Sequence, residues 1–186
     1  DQEFREKVAR GARSQSMEFN ELNVEYGYAY DSAAVVADGS PPAPNPDEVR
    51  IYVPSTRPGS PLPHAWLDDL EGNRQPIKDL VRPGRFLLIA GEEGDEWLQA
   101  ANDLAGSAKV PLDSLRIGHI DGDLFDPQLT WIRNRGIEPD GAILVRPDRF
   151  VAWRSMSSAS NPGQTLAKAL TSVLGREVHM PEGAAA

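Results

Sequence analysis

Two short apolar runs near the end of the chain, separated by a turn, form its clearest hydrophobic pattern. Residues 142–145 are apolar at every position, and residues 150–153 are rich in the aromatic and β-branched side chains that favour strands. Between them, Pro147 and Asp148 suit the two corners of a type I turn. We therefore predict a β-hairpin. Because an isolated hairpin is only marginally stable in water, we expect residues 161–174 to pack on it as a helix.

The pattern upstream of the hairpin alternates between strands and helices. Residues 86–90 are apolar at every position, which is typical of a central strand buried on both faces. The other predicted elements are a strand at 65–67, a short helix or turn at 77–81, a helix at 95–104, a strand at 115–120 and a helix at 127–135. With the hairpin and a last helix that ends at Gly175, this order predicts an α/β, thioredoxin-like fold. Such a fold has a mixed sheet with a βαβ unit, a C-terminal hairpin and a helix.

The first 36 residues carry a weaker pattern. Phe4, Val8 and Phe19 fall near one face of a helix predicted over residues 4–19. Tyrosines and aliphatic residues spaced two apart favour a strand within residues 22–36. Each element is either a surface element of its own domain or part of a larger domain whose partner surface is missing.

A proline-rich stretch separates this segment from the regular pattern. Eight of the 16 prolines lie in residues 37–63, and proline removes amide donors and fixes φ. We expect an extended arm laid over a surface, with residues 38–47 the most mobile part. The predicted division is a helix-and-strand segment 1–36, a linker arm 37–63, a thioredoxin-like domain 64–178 and a tail 179–186.

The composition excludes several classes of function. The net charge is −9, from 19 basic and 28 acidic residues, which argues against nucleic acid or an anionic membrane as partner. The chain has no cysteine, so disulfides, thiolate zinc sites and thiol redox chemistry are excluded, and we expect a cytoplasmic location. Because the chain opens with Asp1 rather than Met, and no signal-like segment follows, we expect it to be a fragment.

The place where a thioredoxin fold carries its redox dithiol is acidic here. The start of the helix after the central strand holds Glu92, Glu93 and Asp95, which complement the helix dipole. We interpret these residues as structural capping; a small enzyme that uses the acidic cluster is a weaker alternative. Asp121, Asp123 and Asp126 lack the ligand spacing of a calcium loop and predict a solvated turn.

Histidines and arginines give no catalytic pattern. For His119 we favour a hydrogen-bonded, partly buried role over catalysis. His64 lies between the arm and the domain, where we expect a hydrogen bond that pins the junction. Arg146, Arg149 and Arg154 could bind an anion, but charged residues at the ends of a hairpin usually face solvent.

Several motifs resemble one family of enzymes. They are DGAILVRPD at 140–148, VAWR at 151–154, YVPSTRPG at 52–59, PHAWL at 63–67 and YDSAAVV at 30–36. Over roughly residues 20 to 175 the chain resembles the C-terminal region of FAD-dependent aromatic hydroxylases of the phenol and 2,4-dichlorophenol monooxygenase type. The resemblance implies a thioredoxin-like domain that follows flavin-binding and substrate domains, and a full-length protein that uses FAD and NAD(P)H.

The family's cofactor motifs are missing from this sequence. It contains no Gly-x-Gly-x-x-Gly turn and no Gly-Asp segment followed by Ala-His, so we assign no catalytic, cofactor-binding or metal residue. We expect a redox-inactive domain for structural support and oligomerisation, as part of a homodimer. The candidate interface residues are Phe4, Val8, Phe19, Tyr26, Tyr28 and Tyr30. The alternative is a free-standing, non-redox thioredoxin-like module that binds other proteins.

Overall fold

The computed structural model describes residues 1–15, 19–107 and 109–181. The chain forms two compact units. Residues 1–28 and 43–53 make the smaller unit, and residues 29–42 together with the chain from residue 54 onward make the larger one. Both ends of the proline-rich stretch belong to the larger unit and its middle to the smaller one, and the predicted division of the chain stays a prediction.

A mixed seven-stranded sheet forms the larger unit. Its strands are β1 (Trp66–Asp68), β2 (Arg74–Pro76), β3 (Phe86–Ala90), β4 (Leu112–Gly118), β5 (Leu124–Phe125), β6 (Ala142–Val145) and β7 (Val151–Ser155). Their order is β2-β1-β5-β4-β3-β6-β7. β4 runs parallel to β3 and β5, and the other neighbours are antiparallel. The predicted α/β class, the central strand and the hairpin are confirmed, whereas the thioredoxin-like assignment stays a prediction.

Helices cover the sheet. They are a 3₁₀ helix (Ile77–Leu80) and the α-helices α3 (Asp95–Ser107), α4 (Thr130–Asn134) and α5 (Pro162–Leu174); α1 (Gln2–Ser14) and α2 (Leu22–Tyr26) belong to the smaller unit. The sequence fixes both ends of α5. The Asn161 side chain accepts a hydrogen bond from the Gln164 amide at 2.9 Å, and Pro162 occupies the first turn. Gly175 ends the helix with φ of 62°, as predicted.

Side chains that alternate along the central strands build two apolar layers. Leu88 and Leu144 point to one layer, where α3 and α5 bury Trp97, Leu104 and Leu166. The neighbouring positions point to the opposite layer, which holds Leu87, Ile89, Ile143 and Val145 with Leu62, Ile77 and Trp131. All five residues of β3 are buried, as expected for a strand covered on both faces.

Part of the proline-rich stretch closes the outer edge of the sheet. The amides of Gly59 and Leu62 donate to the carbonyls of Val151 and Arg149, both at 2.8 Å, and the Val151 amide donates to the Ser60 carbonyl at 2.9 Å. Proline suits such an edge segment because it presents no further amide donor to another chain. Gly59 has φ of +95°, and a Cβ there would lie 2.2 Å from the Tyr30 carbonyl oxygen.

Several predicted elements were misplaced. β4 ends at Gly118 rather than at residue 120, because the Asp-rich turn that follows leaves Ile120 84% exposed. α4 is shorter than the predicted helix at 127–135, since Leu129 has a left-handed φ of 57°. The short strands β2 and β5 were not predicted.

The smaller unit contains two described helices, α1 (Gln2–Ser14) and α2 (Leu22–Tyr26). The prediction of a strand beginning at residue 22 was wrong. In α2 the Asn23 amide donates to the Val49 carbonyl at 3.1 Å, so a contact distant in sequence overrides the alternating pattern. The predicted helix over residues 4–19 is described as far as Ser14, and its residues 16–18 lie outside the described part of the chain.

Candidate functional site

A polar cluster around Arg154, at the end of the hairpin, joins one buried residue, Thr56, to partners nearer the surface. Arg154 Nε donates to Asp38 at 2.6 Å, Nη1 to the Thr56 hydroxyl at 3.0 Å, and Nη2 to the Ser40 hydroxyl at 2.9 Å. The side chains of Arg154 and Asp38 are 8% and 14% exposed. The expectation of a solvated Arg154 was therefore wrong: each guanidinium nitrogen has a protein partner.

Thr56 links this cluster to the body of the larger unit. Its hydroxyl accepts from Arg154 and donates to the Arg135 carbonyl at 2.5 Å. Gly136 provides the space that this contact needs, because a Cβ there would lie 3.0 Å from Arg154 Nη1 and 3.2 Å from the Thr56 hydroxyl. Thr56 is 1% exposed, so both of its hydrogen bonds are shielded from water.

An ion pair between Arg135 and Glu92 extends this network of polar contacts. Arg135 Nη1 donates to the Glu92 carboxylate at 2.6 Å, and Arg135 Nε donates to the Ile137 carbonyl at 3.1 Å. The Arg135 side chain is only 6% exposed. Glu92 precedes α3, whose first turn holds Asp95 and Glu96. The acidic cluster thus has two roles: Asp95 and Glu96 complement the helix dipole, whereas Glu92 neutralises a buried arginine.

The charges in this chain of contacts are mutually compensated. Burial acts to raise the pKa of Asp38, but hydrogen bonds from Ser40 and Arg154 outweigh it and hold the pKa below its ordinary value. Asp38 is therefore ionised at neutral pH and matches the permanent charge of Arg154. Such an arrangement can hold segments of chain together, and it presents no activated nucleophile.

The acidic turn after β4 is organised by hydrogen bonds to Asp126. Asp126 is fully buried, and its carboxylate accepts the amides of Thr130 and Ile132 at 3.1 and 3.0 Å. It therefore caps the start of α4, and the expectation of a solvated turn was wrong at this residue. Within the described residues, no group of three or more His, Cys, Asp or Glu side chains could hold a metal ion.

The two histidines singled out by the sequence differ in their contacts. His119 Nδ1 lies 3.2 Å from the Asp126 carbonyl, which agrees with the hydrogen bond expected for it, but the residue is exposed, so the expected partial burial was wrong. His64 is exposed, and its ring meets Trp66 edge-on with the centroids 5.2 Å apart. Its role at the junction stays a prediction. Thr56, Asp38 and Ser40, which do hold the proline-rich stretch in place, carry no local signal in the sequence.

The predicted interface residues are partly or largely exposed. Phe4, Val8 and Phe19 are 66%, 54% and 80% exposed. The tyrosines are close to half exposed, and two of them make ring contacts inside their own unit: Tyr26 with Tyr52 at 6.3 Å, and Tyr30 with Phe150 at 4.8 Å between centroids. Tyr28 is 44% exposed. Whether these six residues form an interface stays a prediction.

A cavity of about 560 Å³ lies along α5, a feature that the sequence did not indicate. Its lining includes Ala167, Lys168, Thr171, Val178, His179 and Met180. Among the helices of the described ranges, none is both long and apolar enough to cross a bilayer.

Comparison with known proteins identifies the family that most of the chain matches. Residues 55–177 match the model of the family described as "Aromatic-ring hydroxylase, C-terminal". The chain is 40% identical over 157 residues to the 2,4-dichlorophenol 6-monooxygenase of Delftia acidovorans, an alignment that covers 84% of this chain and 26% of that enzyme. It is 37% identical over 150 residues to the phenol 2-monooxygenase of a Pseudomonas species, covering 80% of this chain and 24% of that enzyme.

The fold is also similar to a solved structure. The flavin-dependent monooxygenase PieE, in complex with FAD and substrate, aligns with a TM-score of 0.77 and 36% sequence identity. That alignment covers 92% of this chain and 29% of the PieE chain. The chain thus spans about a quarter of the length of the relatives that it matches.

Proposed function

The chain belongs to the aromatic-ring hydroxylase C-terminal family, and we propose that it is the C-terminal domain of a longer flavoprotein that hydroxylates phenol-type rings. The full-length protein would use FAD and NAD(P)H with O₂. The observation that carries this proposal is the match of residues 55–177 to the family, together with relatives about four times as long as the matched segment.

The residues at the turn after β3 do not fit the pyrophosphate of a flavin dinucleotide. The turn after β3 is where a dinucleotide-binding fold would receive a pyrophosphate, and it carries Glu92 and Glu93. Glu92 is already paired with Arg135 at 2.6 Å. A pyrophosphate at this turn would face like charge, so we place the FAD site in the upstream part of the protein.

We assign this chain a mechanical role: to support the upstream domains and to contribute to a homodimer. α1 provides the main argument, because none of its residues is buried although Phe4 and Val8 form an apolar stripe. A helix of 13 residues is marginal in water unless an apolar face packs on something. The upstream domains are the partner that would cover this stripe.

An experiment on the encoding gene tests the proposal. We expect the reading frame to continue upstream of Asp1 into a Gly-x-Gly-x-x-Gly segment between a strand and a helix. The product of the whole frame should oxidise NAD(P)H in a phenol-dependent manner, and the 186-residue chain should not. A frame without such a segment, or equal activity of both proteins, would refute the proposal.

A further inference from the structure

Within the proline-rich stretch, residues 43–53 form an excursion into the smaller unit, and the residues on both sides of it are bound to the larger unit. The chain leaves the larger unit after residue 42, contributes residues 43–53 to the smaller unit, and returns at residue 54. Asp38 and Ser40 lie just before the departure, and Thr56 and Arg57 lie just after the return. We call segments 38–42 and 54–57 the two roots of the excursion.

One side chain holds both roots. The Arg154 guanidinium donates to Asp38 and Ser40 on the first root and to Thr56 on the second. The roots also bind each other, since Arg57 Nε donates to the Ser40 carbonyl at 2.8 Å. Thr56 also donates a hydrogen bond to the Arg135 carbonyl, which belongs to the body of the larger unit.

We propose that Arg154 is a positioning residue that clamps the two roots of the 43–53 excursion to the end of β7. The planar guanidinium presents donors in several directions at once, so it can hold three separate partners where a lysine ammonium could not reproduce the geometry. The clamp is independent of the flavoprotein assignment, because its contacts all lie inside the larger unit.

The shared guanidinium makes the clamp cooperative. If Arg154 is removed, the Asp38 side chain, 14% exposed, and the buried Thr56 both lose a charge-assisted hydrogen bond. Both roots should then open together, although β7 itself remains paired with β6. A clamp therefore predicts local release of two segments that are distant in sequence, whereas a general stabilising role predicts loosening of the whole sheet.

Hydrogen exchange measured by mass spectrometry on the 186-residue chain separates these outcomes. In Arg154→Met we expect exchange in peptides covering residues 36–42 and 54–60 to accelerate by about ten-fold or more, with residues 86–90 and 142–145 unchanged. Arg154→Lys should give an intermediate acceleration. Arg82→Met controls for the loss of an ion-paired arginine outside the cluster, although the Arg82 side chain is more exposed, and it should leave both roots unchanged.

Two results would overturn the clamp. One is equal acceleration in the roots and in the central strands of Arg154→Met, and the other is no acceleration in either root. If Arg154→Met does not fold, Thr56→Val serves the same test, since it removes only the hydroxyl between Arg154 and Arg135. In that variant the 54–60 peptides should exchange faster while the central strands keep their protection; unchanged protection at 54–60 would refute the clamp.

Discussion

At the scale of single residues, Asp113 on β4 shows how paired arginines shift the pKa of a carboxyl group. Arg85 Nη2 and Arg82 Nε donate to its carboxylate, both at 2.7 Å, and Arg82 makes a second contact through Nη2. Hydrogen bonds from Arg85 and then Arg82 lower the pKa of Asp113 to about 2. A folded-state pKa below the ordinary 3.8 means that ionised Asp113 stabilises the fold above about pH 4.

This stabilisation is lost as the pH falls from about 4 through 2, because the carboxyl is protonated in both states below its folded pKa. We predict that Asp113→Asn lowers the free energy of unfolding by about 1 kcal/mol at pH 7, a value reduced by solvent screening of the exposed Arg82. Urea titrations followed by tryptophan fluorescence measure it, since all four tryptophans lie in the larger unit. The difference from wild type should shrink as the pH falls through 4 and disappear only below pH 2, and a difference that stays constant over this range would contradict the assignment.

At the scale of elements, predictability followed the range of the interactions involved. β3, the hairpin and α5 were predicted because their signals are local: an apolar run, a Pro-Asp turn, and a glycine, Gly175, that ends the helix. β2 and β5 are three and two residues long and exist because neighbouring strands complete their hydrogen bonds. α2 likewise depends on a bond between Asn23 and residue 49, which no local pattern contains.

The cap of α5 provides a stability test at this scale. We predict that Asn161→Ala lowers the free energy of unfolding of the larger unit by about 1 kcal/mol, because the Gln164 amide loses its acceptor. Asn161→Ser, which keeps an acceptor oxygen, should cost clearly less. Equal losses in the two variants would show that the side-chain cap does not stabilise this helix.

For the exposed apolar stripe of α1 we expect almost no effect on the stability of this chain. We predict that Phe4→Ser combined with Val8→Ser changes the unfolding free energy of the 186-residue chain by less than about 0.5 kcal/mol, as expected for exposed positions. In the full-length flavoprotein that we propose, the same pair should destabilise the protein, because the stripe would there be covered. Thermal unfolding of both proteins makes the comparison, and a stripe that is neutral in both would remove α1 from the list of interface candidates.

At the scale of the whole molecule, the features that could not be predicted from the sequence are polar contacts between segments distant along the chain. Arg154 lies 116 positions from Asp38 and 98 from Thr56. A charged residue at the end of a hairpin usually faces solvent, so the local sequence predicted a solvent-exposed Arg154. The acidic residues after β3 were placed correctly, but the partner of Glu92 is 43 positions away and could not be identified from spacing.

The flavin content per polypeptide decides whether the FAD site lies outside this chain. The measurement compares the 186-residue chain with the product of the complete reading frame, each purified without added cofactor and then with excess FAD. We predict that the short chain stays colourless under both conditions and that the long protein holds FAD near stoichiometrically. A flavin absorption band of near-stoichiometric strength in the short chain, or none in the long protein, would contradict the account.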